Sequence, residues 1–109
     1  MAGPTLVEVA FTGKMADDTV RQMGKLFAAD NKGMSIRELQ DKLRTTESSI
    51  THAITRLFYD MEIMGSKMDY ENPIMVGDKT RIEAKYNIKP EYINEVKTLF
   101  LRKDVAATV

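Results

Sequence analysis

The chain has no cysteine among its 109 residues. That excludes disulfides, thiolate metal sites and a thiol nucleophile, and it fits a reducing, cytoplasmic setting. There is no tryptophan, and His52 is the one histidine. A lone histidine with no cysteine or carboxylate cluster beside it is a poor metal site, so neither a metal nor a cofactor is expected. No apolar run approaches membrane-spanning length, and the N-terminus lacks a basic-then-apolar leader; no membrane partner is expected. A glycine-rich phosphate loop and a strand-to-helix nucleophile elbow are also missing. Paired carboxylates such as Asp17 and Asp18 are better explained as helix starters, and the chain reads as a non-enzyme. An excess of either charge is missing too. Sixteen Lys and Arg balance sixteen Asp and Glu, whereas nucleic-acid binders usually carry a basic surplus against phosphate.

What is present suits one small domain spanning 1–109. The hydrophobic fraction, 43%, is that of a globular chain. Eight methionines suit an adaptable core, where they fill gaps.

The most structured stretch runs from Ser35 to Gly65. Ser35 and Glu38 have capping-box spacing. Ile36, Leu39 and Leu43 then share one helical face. Thr45 and Thr46 interrupt that pattern, and Thr46 suits the cap of a second helix. Ile50, Ala53, Ile54, Leu57 and Met61 form its apolar stripe. Opposite lie Ser48, Ser49, Thr51, His52, Thr55, Arg56 and Tyr59, short or planar donors able to meet base edges in a major groove.

Two runs carry a resemblance: Ser35-Ile36-Arg37-Glu38-Leu39, and Ser48-Ser49-Ile50-Thr51-His52-Ala53-Ile54-Thr55-Arg56-Leu57. The stretch resembles the helix-turn-helix of winged-helix transcription regulators, the broad class that includes the multiple-antibiotic-resistance and arsenic-repressor families. The resemblance implies a mainly α fold with a small β-hairpin (α+β), a winged helix-turn-helix, here with an added C-terminal helix. It also implies a dimeric, sequence-specific regulator of double-stranded DNA, with a recognition helix at about 47–64 in the major groove. These families usually place glycine about four residues after the leucine matched by Leu57. Met61 stands there instead, and Gly65 is expected to close a helix one turn longer.

The flanks are read from their patterns. Residues 1–15 form an N-terminal arm, with Met1 to Pro4 loose. Thr5 to Phe11 has the β-branched content of a strand, placing Val7, Val9 and Phe11 on one face. The core is expected over 16–88. A first helix starts at Asp17 or Asp18, buries Val20, Met23, Leu26 and Phe27, and stops at Asn31-Lys32-Gly33 through left-handed backbone. Met34 adds a residue or two of strand. From about 66 to 88 the period becomes two. Ser66 to Glu71 and Thr80 to Ile88 alternate around a loop marked by Pro73 and Gly77-Asp78. The second strand turns Thr80, Ile82, Ala84, Tyr86 and Ile88 inward. This hairpin is the expected wing, with Lys79 and Arg81 as phosphate contacts. Ile74, Met75 and Val76 either tuck onto the core or meet a protein partner through the wing loop.

Pro90 starts a last helix over 89–104, where its missing amide proton is no loss. Tyr92, Ile93, Val96, Leu99, Phe100 and Val105 give it a wide apolar stripe, suited to a homodimer interface; residues 104–109 are expected to fray. From Lys32 to Lys67, six basic residues stand against five acidic ones. So small a surplus favours an alternative, a winged-helix module for protein–protein contact without DNA binding.

Overall fold

Residues 3–108 are described in backbone and residues 3–101 in side chain by a computed structural model. Among the described residues the chain is mixed α and β, with five α-helices and two short antiparallel ladders. The first helix, α1 (Leu6–Phe11), corrects the strand expected there. Thr5 decides it: its hydroxyl accepts from the Glu8 amide at 3.2 Å and its carbonyl from the Val9 amide at 3.0 Å. Once helical, Val7, Ala10 and Phe11 come to one face and are buried, while Val9 stays 41% exposed. Among the described residues α1 packs on the helices Asp18–Ala29 and Pro90–Thr108 and pairs with no strand, and packing of the helical face prevails over local preference.

Asp17 caps α2 (Asp18–Ala29) by accepting from the Val20 amide at 2.9 Å. Val20, Met23 and Phe27 are buried as expected, and Leu26 half-buried. The expected left-handed stop is absent. Asp30 ends the helix in extended backbone, and neither Asn31 nor Gly33 has positive φ. Asn31 has another task. Its amide nitrogen donates to the Ile88 carbonyl and its oxygen accepts from the Ile88 amide, both at 2.9 Å. This staples the end of α2 to the last strand.

Met34 forms the expected bridge, exchanging bonds with Tyr86 at 3.0 and 2.8 Å. Ser35 and Glu38 complete the capping box on α3 (Ile36–Leu43). A left-handed Arg44 turns the chain, and Thr46 caps α4 (Glu47–Ile54). Ile50, Ala53, Ile54 and Leu57 are buried and Met61 half-buried, so the stripe faces inward as its spacing requires.

The helix does not continue to residue 64. From Thr55 to Asp60 it widens into a π-helical turn, and the Met61 amide reaches back to the Arg56 carbonyl at 2.9 Å. Glu62 then adopts φ +53° and stops the helix. Gly65, the expected stop, lies inside a strand.

The hairpin differs from the expected one in its boundaries. Strand β1 (Met64–Met68) pairs with β4 (Ala84–Ile88). Beyond them, β2 (Ile74–Val76) and β3 (Lys79–Arg81) form a second ladder. The expected loop at 72–79 is thus largely structured. Gly77 sits at φ +66° in its two-residue turn, a backbone that glycine adopts at no steric cost. The expected second strand is interrupted at Ile82-Glu83, and Thr80 is exposed rather than inward. Met75 and Val76 do not tuck away: they are 63% and 48% exposed, with only Ile74 half-buried.

Helix α5 (Pro90–Thr108) packs along α2 and touches α1. Val96 is fully buried against its own core, and Tyr92, Ile93, Leu99 and Phe100 are half-buried there. The rings of Phe100 and Phe11 meet edge to face at 5.1 Å. The helix runs on to Thr108, through most of the stretch expected to fray; the side chain of Val105 and residue 109 lie outside the described residues. None of the described helices is long and apolar enough to cross a membrane.

Candidate nucleic-acid interface

The buried stripe of α4 fixes what the opposite face presents. Ser48, Thr51, His52 and Thr55 are exposed and, with Glu47, line one shallow depression. Tyr59, 68% exposed, extends the strip by one turn. Its ring meets the edge of Phe58 at 4.8 Å and stays outside the core, not packed under the wing. Two expected members are drawn away. Ser49 is half-buried in the cap of α4, where its amide donates to the Thr46 hydroxyl at 3.1 Å. Arg56 is half-buried and donates from Nη2 to the Val9 carbonyl at 2.8 Å. That carbonyl belongs to the last turn of α1, where intrahelical partners run out. Arg56 makes no ion pair with Asp60 among the described residues, and its Nε is buried without a hydrogen-bond partner.

The donors left on the strip are largely neutral. The Thr55 hydroxyl donates to the Thr51 carbonyl at 2.9 Å, which consumes its proton within the helix. His52 lies 3.9 Å from Asp17 at the start of α2. Both side chains are about half exposed or more, so their attraction is screened.

The β1–β4 hairpin, expected from the sequence as the wing, is held against α3 by charges on both sides. Arg37 pairs with Glu83 at 3.1 Å, Lys85 contacts Glu38, and Lys85 also lies 3.9 Å from Asp69. The hydrogen bond from Lys85 holds the Glu38 carboxyl below its ordinary value, with help from the Ser35 backbone. Burial pushes the Tyr86 phenol up, and the neighbouring Tyr59 adds to this. The acidic residues of the wing base are therefore compensated. Lys67, Lys79 and Arg81 are exposed and make no ion pair among the described residues. Arg81 and Glu47, at the start of α4, line one open groove.

Sequence spacing located the strip but missed the Arg56–Val9 contact and the α3–wing ion pairs. These pairs join residues 46 or 47 positions apart, beyond the reach of any local period. The described residues contain no group of three or more His, Asp and Glu that could hold a metal. The chain matches no protein-family model, no curated protein and no solved structure.

Proposed function

We propose that the chain is a winged helix-turn-helix that binds double-stranded DNA in a sequence-specific way, as a homodimer, and so regulates transcription. The observation that carries this reading is the exposed polar strip Ser48–Thr51–His52–Thr55–Tyr59 on the second helix of a capped helix pair, opposite a largely buried stripe. The order α2, Met34 bridge, α3, α4, β1, β4 agrees with it. Short hydroxyls and an imidazole suit close approach to base edges. Lys79 and Arg81 on the wing supply phosphate contacts.

Electrostatics shape how such binding must work. Asp17 beside His52, Glu47 on the strip and a zero net charge give little non-specific attraction. Few phosphates are neutralised, so the dependence of affinity on salt should be shallow for a DNA binder. The test is selection from random duplexes at near-physiological salt with the folded protein. One enriched motif is expected, and its affinity should fall in Thr51→Ala and His52→Ala. Recovery of no motif would sink this reading.

The wing tip favours a second reading, a protein-interaction module. Met68, Tyr70, Met75 and Val76 are all exposed there, Tyr70 at 73%. Apolar groups gathered in water mark contact surfaces more often than nucleic-acid ones.

A further inference from the structure

The outer edge of β4 is only partly used. Its odd-numbered residues face β1. At one end the Glu83 carbonyl accepts from the Asp69 amide at 2.9 Å, and at the other the Lys89 amide donates to the Ile63 carbonyl at 2.9 Å. Gly65↔Asn87 and Lys67↔Lys85 lie in register between them. Even-numbered residues therefore turn their amides and carbonyls to the opposite edge. Tyr86 is satisfied there by Met34, and Ile88 by the side chain of Asn31. Ala84 is the next position, and among the described residues it has no hydrogen-bond partner on that edge. The cause is local. A strand continuing from Met34 would bring residue 36 opposite Ala84, but the capping box at Ser35 starts α3 and turns the chain away.

In place of that strand there is a groove of about 490 Å³ between α3 and the wing. Half-buried Ile36, Ile82 and Tyr86 give it an apolar lining. Arg37 and Glu83 close its rim by pairing with each other. Glu47 is the first residue of α4, where the helix dipole favours its charge. Arg81 remains, exposed and without an ion partner among the described residues.

We propose that this groove takes an extended peptide segment of a partner protein by strand addition, antiparallel to β4 at Ala84. An aliphatic side chain of the peptide rests on Ile36 and Ile82, and an acidic one meets Arg81. The open amide and carbonyl of Ala84 call for an acceptor and a donor at strand spacing, which a peptide backbone supplies. Met34 already does this one pair along the same edge. The site stands whether or not the chain binds DNA.

The test uses the full chain, labelled for amide NMR, and three capped hexapeptides. One alternates glutamate and valine. The second is its copy methylated on alternate backbone nitrogens, and the third alternates lysine and valine. The glutamate peptide should give saturable shifts at residues 34–40 and 82–86 and slow hydrogen exchange at the Ala84 amide. The methylated copy, unable to complete the ladder, should bind at least roughly tenfold more weakly, and the lysine peptide more weakly than the glutamate one. Ala84→Pro removes only an outward-facing amide, so it should abolish the shifts while the bonds to β1 persist. If that variant does not fold, the methylated peptide still decides. No saturation at millimolar glutamate peptide, equal binding by the methylated copy, or shifts confined to the wing tip would overturn the proposal.

Discussion

Gly24 shows how a single side chain, or its lack, positions two elements. A Cβ there would lie 2.6 Å from Cε1 of Phe11 and 2.7 Å from Cζ of Phe100, the two rings that join α1 to α5. Gly24→Ala adds helix propensity worth at most about 1 kcal/mol. Overpacking a closed site costs about 1–3 kcal/mol, so the clash prevails, and denaturant melts should show net destabilisation. Glu38 gives a second prediction at this scale. Lys85 and the Ser35 backbone lower its carboxyl below the ordinary 4.5. A lowered folded value means the unfolded chain takes up the proton first. The contribution to stability is therefore complete above the unfolded value and is lost as pH falls through the folded one. The thermal-stability gap between the wild type and Glu38→Gln should be steady near neutrality and close below about pH 4. A gap that widens on acidification would contradict the Lys85 contact.

Among the elements, the α4 helix and its π-helical turn depart furthest from their sequence pattern. The stop falls on Glu62 at φ +53°, where a residue with a Cβ pays roughly 1–2 kcal/mol. Glycine removes that strain and returns less than about 1 kcal/mol as chain entropy. Glu62→Gly is accordingly expected to raise stability slightly in denaturant melts, whereas Gly65→Ala, within β1, has no left-handed backbone to lose. A destabilised Glu62→Gly would mean that the side chain itself matters. The same element carries Arg56 to the end of α1, so the helix bearing the exposed polar strip is tied to one whose sequence reads as a strand. Asn31 does the comparable work for the sheet, satisfying both backbone groups of the fully buried Ile88.

On the scale of the whole molecule, the radius of gyration is 15.0 Å, above the roughly 13 Å of a compact chain of this length. The molecule is elongated, 55 × 29 × 24 Å, and carries a terminal helix of 19 residues. The protomer's own core covers much of the α5 stripe. Leu6, Val9 and Leu101 stay about two-fifths exposed on α1 and α5, and these are the residues that the proposed homodimer would cover. Sedimentation at high micromolar concentration should show a homodimer. Leu101→Asp should dissociate it and leave the protomer folded, because that position already meets water. Leu99→Asp would also disturb the protomer's core and is the poorer probe. A monomeric wild type would remove the dimer from the proposed function.

Caps and periods were legible in the chain alone: Asp17, Ser35 and Thr46 as helix starts and the buried face of α4; the alternation expected of β4 was not realised, since Ala84 to Asn87 are all half-buried. The caps and that buried face are set by neighbours within about four residues, so local spacing determines them. The helical state of 6–11, the retreat of Arg56 and the open edge at Ala84 were decided by tertiary structure. Each depends on what another part of the chain brings alongside: the core beneath Phe11, the Val9 carbonyl for Arg56, or, at Ala84, a neighbouring strand that turns into α3. A period of two or 3.6 carries no information about such partners, since the bonds that decide them join residues tens of positions apart.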